Sequence, residues 1–252
     1  MLTFNPKKYV ELFHLLFLTQ LSRKLDKDLY VLKGGCNMRF YFNSIRYSED
    51  MDIDVQIIAR DTLRNKINSI FKSLPFNQIL NSRKISIINF SEPKQTETTQ
   101  RWKVALEIPS SSVAIPTKIE FSRRAVDNNY LYESINPLIL REYQLPAVMA
   151  NHYSMNKMYE QKIKALILRN QTQARDIFDI YHLLGLGVKT HVENNQIKEQ
   201  KNIAQINAMS ISFEDFKGHV LAYLAEEYQQ QYSSKEVWEG IVNAVVEALD
   251  KL

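Results

Sequence analysis

The spacing of hydrophobic and polar positions changes along the chain, and each change marks an element. In residues 6–25, Val10, Phe13, Leu16, Phe17 and Leu21 fall at helical spacing behind Pro6, which suits a first helical turn. The pattern predicts an amphipathic helix whose apolar face packs on a sheet or on a second lobe. Residues 29–32 form a short apolar strand, Lys33, Gly34 and Gly35 a turn, and residues 36–43 a helix of about two turns. The period then falls to two. Met51, Ile53, Val55, Ile57 and Ile58 run against Asp50, Asp52 and Asp54, a strand with one apolar and one acidic face. Residues 61–74 read as a surface helix with Asp61 as its N-cap and Pro75 just past its end. Residues 84–90, 103–108 and 118–121 read as three more strands, and the polar stretch SEPKQTETTQRW as a mobile hairpin loop. The sum is a sheet of four or five strands with helices on one side.

Beyond about residue 130 the pattern turns helical. One long segment covers 145–169 and another 175–184, the latter closed by Gly185 and Gly187. Residues 188–205 are polar and read as a loop or a poorly packed helix. Two helices end the chain, starting near Ser212 with Asp215 three residues on and near Ser233 with Glu236 three residues on. The expected division is an α/β lobe over 1–130 and a helical lobe over 131–252, an α+β protein.

Composition narrows the class. With 252 residues and 45% hydrophobic content, the chain can bury a substantial core. Its net charge of +4 permits a nucleic-acid partner without demanding one. Cys36 is the only cysteine, which excludes an intrachain disulfide and a thiolate zinc cluster. The start lacks a signal-peptide layout, and no apolar run approaches the ~18 residues of a membrane span. The expectation is a cytoplasmic protein without a membrane partner.

Three groups of residues carry candidate chemistry. Gly34 and Gly35 allow close backbone approach, so that N–H groups at a helix start can meet phosphate; the same pair also serves an ordinary tight turn. Arg39, one turn on, can share their space. Asp50 and Asp52 point to one face of a strand, where like charges repel unless a cation sits among them. That pattern fits Mg²⁺ binding completed by phosphate oxygens as well as a solvated edge strand. Asp54 is the most readily solvated of the three, and Glu120 is a candidate third ligand from a later strand. Lys162, Arg169, Arg175, Asp176 and Asp179 fall at helical spacings that fit either salt bridges or a site. His152 and His182 read as packing or surface residues. Lys7, Lys8, Arg23, Lys24, Arg123 and Arg124 are candidate phosphate contacts without forming a basic run. Ser48 is a turn residue; phosphorylated, it would oppose triphosphate at Asp50.

Taken in order, Leu32, Lys33, Gly34 and Gly35, the run RYSEDMD over 46–52, Lys162 with Ala165 and Leu166, and Arg175 with Asp176 and Asp179 resemble the AbiEii/AbiGii toxin family of nucleotidyltransferases, found in abortive-infection and toxin–antitoxin systems. The resemblance covers residues 30–184. It implies a polymerase-β-like nucleotidyltransferase core with an α-helical C-terminal lobe folded back over residues 31–54, so that the cleft between the lobes is the active site. It implies Asp50 and Asp52 as metal ligands and catalytic residues, and Gly34, Gly35 and Lys162 at the nucleotide, with Arg39 and Ser48 as further nucleotide-binding candidates beside them. Lys162 is the family's third-motif lysine and Asp176 its fourth-motif aspartate. The implied reaction is Mg²⁺-dependent transfer of NMP from an NTP to RNA or tRNA, with a cognate antitoxin as a further partner. The competing expectation is a non-catalytic nucleotide- or partner-binding module that keeps the fold. Cys36 departs from the Ser or Thr common after the family's glycine pair.

Overall fold

The computed structural model describes residues 5–109, 111–124, 126–192 and 194–252; the first four residues of the start read for a leader lie outside this set. The chain forms two compact units. Unit 1 is Met1–Tyr41 with Tyr47–Tyr153, and unit 2 is Phe42–Arg46 with Ser154–Leu252. The boundary therefore falls at 153/154 rather than at the expected residue 130, and five residues near the start belong to the second unit.

Unit 1 opens with α1 (Pro6–Lys24), capped by the Asn5 side chain. This helix is not amphipathic: residues 9–18 are all buried, Glu11 and His14 included, so it runs through the core instead of covering it. Next come β1 (Tyr30–Lys33), α2 (Gly34–Tyr41), β2 (Asp50–Val55), α3 (Arg60–Phe71) and α4 (Leu74–Ser82). The single helix expected over 61–74 is thus two. Ser73 caps α4, and Pro75 starts this second helix rather than ending the first. Asp61 lies inside the first turn of α3, which has no side-chain cap.

The remaining strands of unit 1 are β3 (Ser86–Gln95), β4 (Thr99–Glu107), β5 (Ile115–Ser122), β6 (Tyr130–Ser134) and, after α5 (Pro137–Glu142), β7 (Met149–Tyr153). Among the described residues they make one seven-stranded mixed sheet ordered β3-β4-β5-β2-β1-β7-β6. The last two strands were missed because residues 130–153 alternate weakly and hold Pro137 and Pro146. The segment expected as a mobile loop is ladder: Lys94 pairs with Arg101 and Gln95 with Gln100, and Thr96 closes the turn onto Thr99. β2 stops at Val55. Ile57, expected in the strand, adopts φ 51° and is 93% exposed, a conformation that β-branched residues rarely take. β2 is central, parallel to β5 and antiparallel to β1, and Met51, Ile53 and Val55 on its apolar face are buried.

Unit 2 contains α6 (Met155–Leu168), α7 (Ala174–Gly185), α8 (Asn195–Glu199), α9 (Lys201–Met209), α10 (Phe213–His219), α11 (Glu226–Gln229) and α12 (Lys235–Asp250). Residues 195–209 are helical because Ile197, Ala204 and Ala208 are buried; small alanines gave too weak a signal to read. Phe216 stacks on Trp238 at 4.5 Å and packs beside Phe178. Ser212 and Asp215 form the expected capping box, whereas α12 is capped by Ser234, one residue after the expected Ser233. No helix among the described residues is long and apolar enough to cross a membrane.

Residues 42–46 are held into unit 2 by backbone and side chain. Ala225 N–H donates to Ile45 O (2.9 Å), Arg46 bridges to Leu224, and the His182 Nε2–H donates to Phe42 O (2.6 Å).

Candidate nucleotide site

β1 delivers Lys33 to the edge of a turn that Gly34 makes with φ +66°. Helix α2 begins at Gly34 itself, so both glycines lie in its first turn, where backbone N–H groups lack intrahelical acceptors. A Cβ at Gly34 would stand 2.8 Å from Oδ2 of Asp52. The dihedral favours glycine, and a side chain here would have to push aside the Asp52 carboxylate that lies against the helix start.

Strand register arranges the charges. Lys33 is opposite Asp52, Asp52 opposite Glu120, and Glu120 opposite Arg101. One row across β1, β2, β5 and β4 therefore reads cation, carboxylate, carboxylate, cation. Arg101 Nε donates to Glu120 at 2.6 Å, and Lys118 sits 3.0 Å from Asp50 and 3.9 Å from Glu120. The Asp52 carboxylate receives no hydrogen bond among the described residues. Burial pushes its carboxyl above the usual range, with Lys118 and Lys33 opposing. Two neighbouring carboxylates, one of them without a donor, fit a divalent cation. Among the described residues no three His, Cys, Asp or Glu side chains form a cluster that could hold one, so the remaining ligands would come from substrate oxygens, as Mg²⁺ sites commonly arrange.

Asp54 is not solvated. It is 7% exposed, ion-paired to Lys33, and accepts the Tyr153 hydroxyl at 2.7 Å. It holds the lysine that precedes the glycines. Arg39, expected beside them, is committed elsewhere: its Nε donates to buried Glu11 at 2.6 Å and its guanidinium lies over the Tyr47 ring. Ser48 Oγ donates to the Asp50 carbonyl at 2.8 Å, a local turn contact. Of the surface cations, Lys8 pairs with Glu142, and Arg123 donates to Gln100 and to Ile58 O. His152 stacks on Tyr41 at 3.6 Å, the packing role expected of it.

Behind β2 runs a buried polar chain. Thr117 Oγ1–H donates to Glu49 O (2.7 Å), so this hydroxyl accepts from His14 Nε2–H (2.8 Å). That leaves His14 Nδ1 as an acceptor, 3.6 Å from Cys36 Sγ, which also lies 3.3 Å from Asp50 O. Cys36 thus fills its place as a buried weak donor to the strand that bears the carboxylates; burial pushes its thiol up, so it is no nucleophile. Burial lowers the His14 pKa from 6.5 to about 3. Between those values the unfolded chain binds a proton that the folded chain refuses, so stability falls as pH drops. From pH 7 to pH 5 the expected loss is about 2 kcal/mol. Urea titrations at the two pH values check it, with His14→Gln, which keeps a donor and does not titrate, removing that part of the difference.

Lys162 and Asp176 lie in unit 2 within a buried cluster. The Lys162 ammonium is 2.9 Å from Asp176 and 2.6 Å from Asp179. Arg46 reaches both Asp179 oxygens at 3.0 and 3.1 Å, and Arg169 Nε lies 3.2 Å from Asp176. Burial works against the Asp179 charge, yet Arg46 and Lys162 hold its carboxyl below the usual range. The sequence reading gave no site role to Lys118, which alternates with Glu120, or to Arg101, which it placed in the hairpin loop; Arg46 entered only as part of the 46–52 run, and Tyr153 and His14 carry no local signal.

A family profile described as "Nucleotidyl transferase AbiEii toxin, Type IV TA system" matches residues 16–230. No curated protein matches the chain. Among solved structures, JHP933 from Helicobacter pylori is similar with a TM-score of 0.62 and 18% identity, covering 99% of this chain and 96% of that one. The nucleotidyltransferase toxin MenT4 (Rv2826c) of Mycobacterium tuberculosis H37Rv is similar with a TM-score of 0.63 and 14% identity, covering 96% of this chain and 83% of that one. At these identities the structural likeness speaks for the fold alone.

Proposed function

The chain belongs to the AbiEii nucleotidyl transferase toxin family of type IV toxin–antitoxin systems, and on that premise we propose that it transfers NMP from an NTP to RNA, tRNA included, with Mg²⁺ held by Asp50 and Asp52. The observation that carries this reading is the packing of the Asp52 carboxylate, without a hydrogen-bond donor among the described residues, against the α2 start at Gly34. Bound Mg²⁺ would neutralise triphosphate oxygens and help orient the reacting phosphorus. The chain's own residues do the rest. The first N–H groups of α2 hold phosphate oxygens. Lys33, fixed by Asp54 and Tyr153, adds a cation beside them. Glu120, opposite Asp52 in the ladder and ion-paired to Arg101, adds negative charge beside the ion, while the remaining ligands come from substrate oxygens. Lys162 and Asp176 are expected to serve the same reaction; both are buried, with Lys162 paired to Asp176 and Asp179. An antitoxin is the expected partner and the cytoplasm the expected compartment.

One feature favours a second reading, a nucleotide-binding module without turnover: Lys118 on Asp50 and Arg101 on Glu120 already balance two of the carboxylates. The deciding experiment incubates the protein with each labelled NTP, Mg²⁺ and total RNA, then sequences RNA 3′ ends. Added nucleotides support transfer. Mg²⁺-dependent NTP binding by calorimetry with no incorporation on any RNA supports the module, and Asp50→Ala acting like wild type in cells would end the enzymatic reading.

A further inference from the structure

Asp50 and Asp52 each have a lysine directly across the sheet. Asp50 is opposite Lys118 on β5, and Asp52 is opposite Lys33 on β1. The two lysines behave differently. The Lys118 ammonium takes the carboxylate it faces, 3.0 Å from Asp50. The Lys33 ammonium instead crosses to Asp54, which lies two positions further along the same face of β2 and is opposite Val31. Directly opposed side chains start about 5 Å apart and diagonal ones about 7–8 Å. Lys33 therefore passes over the nearer carboxylate for the farther one, and its flexible four-carbon stem allows either reach.

Asp54 is built to win that competition. The Tyr153 hydroxyl donates to its Oδ2 at 2.7 Å, and its Oδ1 accepts from Lys33. The Asn37 side chain donates to the Tyr153 carbonyl at 2.9 Å, so the tyrosine is itself held. Asp54 is buried, and a buried charge demands a counter-ion. The Asp52 carboxylate lies against the α2 start instead and among the described residues has neither a hydrogen bond nor an ion pair.

We propose that Asp54 is a positioning residue that draws Lys33 off Asp52 and so keeps the Asp52 carboxylate open to a divalent cation. This deepens the transferase reading and rests on its placement of the ion at Asp50 and Asp52. The same contact serves the lysine. With Asp54 as its one acceptor among the described residues, Lys33 keeps two further N–H donors for substrate phosphate. Without Asp54, lysine and carboxylate would neutralise each other across the ladder, and both would be lost to the substrate.

The test titrates the full chain with Mn²⁺ alone, as a stand-in for Mg²⁺, without nucleotide or RNA. Asp54→Asn is expected to weaken Mn²⁺ binding by about tenfold, because Lys33 turns to Asp52 and a charge-assisted hydrogen bond must break before the ion enters. The loss is expected to persist at high salt, where the screening length falls to about 3 Å near 1 M; a loss that vanishes there is a through-space charge effect and overturns the proposal. Lys33→Met/Asp54→Asn keeps the net charge and removes the ion pair whole. It is expected to bind Mn²⁺ within about twofold of wild type, a repair that a merely structural role for Asp54 would not show. Unchanged affinity in Asp54→Asn, or a departure of about tenfold in either direction in the double variant, overturns the proposal, and the double variant decides alone where Asp54→Asn does not fold. The two readings fail separately. Mn²⁺ binding that survives Asp52→Asn, or a wild type that takes up no Mn²⁺, overturns the placement of the ion and the proposal with it. Binding lost in Asp52→Asn but kept in full by Asp54→Asn overturns the proposal and leaves the ion where it is.

Discussion

Arg46→Met is expected to destabilise unit 2 by about 3–5 kcal/mol, the usual cost of stranding a buried charge. Asp179 is fully buried and Arg46 is 4% exposed, so water cannot replace the lost guanidinium. Lys162 would remain as the one cation on Asp179, its single ammonium shared with Asp176. The loss should be read from Trp238 fluorescence in urea, in a Trp102→Phe background, since the two tryptophans lie one in each unit. The pair Arg46→Met/Asp179→Leu should recover most of the loss, because removing both charges removes the stranded one. The pH dependence has a definite sign. Asp179 titrates below its usual value of 3.8 when folded, so the contribution is present above that pH and fades as the solution is acidified through the lower folded value. Equal stability of Arg46→Met and wild type at pH 7 would show that this cluster does not hold unit 2 together.

Asp52→Asn is expected to lower NMP transfer by about a thousandfold or more, roughly 4 kcal/mol of barrier. It is also expected to leave metal-free stability unchanged or raised. The reason is again a sign. The folded carboxyl titrates above its usual 3.8 because of burial, so the wild-type aspartate gives its stabilising share only in acid and loses it as pH rises through the raised value. At neutral pH its charge is a cost that asparagine removes, the exchange of stability for activity common at such sites. Mg²⁺ should reverse the order: added metal raises the wild-type melting temperature and leaves the variant where it was. A variant that transfers as well as wild type, or gains the same metal shift, would place the ion elsewhere.

The acidic strand and the glycine turn were legible because each announces itself locally, one by a period of two and the other by paired glycines. The register of β2 between β1 and β5 was not, and it is register that sets Asp52 beside Glu120 and Lys33. Asp54 shows the limit. Position along the strand marked it for solvent, but a tyrosine 99 residues on closes over it. His14 looked like one polar break in an apolar helix until Thr117 gave its Nε2–H an acceptor and Cys36 came to lie beside its Nδ1. β6 and β7 were hidden by prolines and short length, and α8 and α9 by cores built from alanine. In each case the deciding contact is long-range, which no local window contains.

Residues 42–46 have a consequence for the order in which the protein can be made. Arg46 precedes Asp179 by 133 residues, and the segment is clasped by parts of the chain as late as Ala225. At ~5–20 residues per second on a ribosome, Arg46 waits roughly 7–27 s after its own synthesis for its partner to appear. No fragment ending at residue 153 contains that partner, and none starting at 154 contains Arg46. A product truncated before Asp179 therefore cannot complete the buried charge cluster, and the acidic strand follows Arg46 by only four positions. For a chain of a toxin family, that makes the seating of residues 42–46 wait for the synthesis of α7 and of the segment at Ala225.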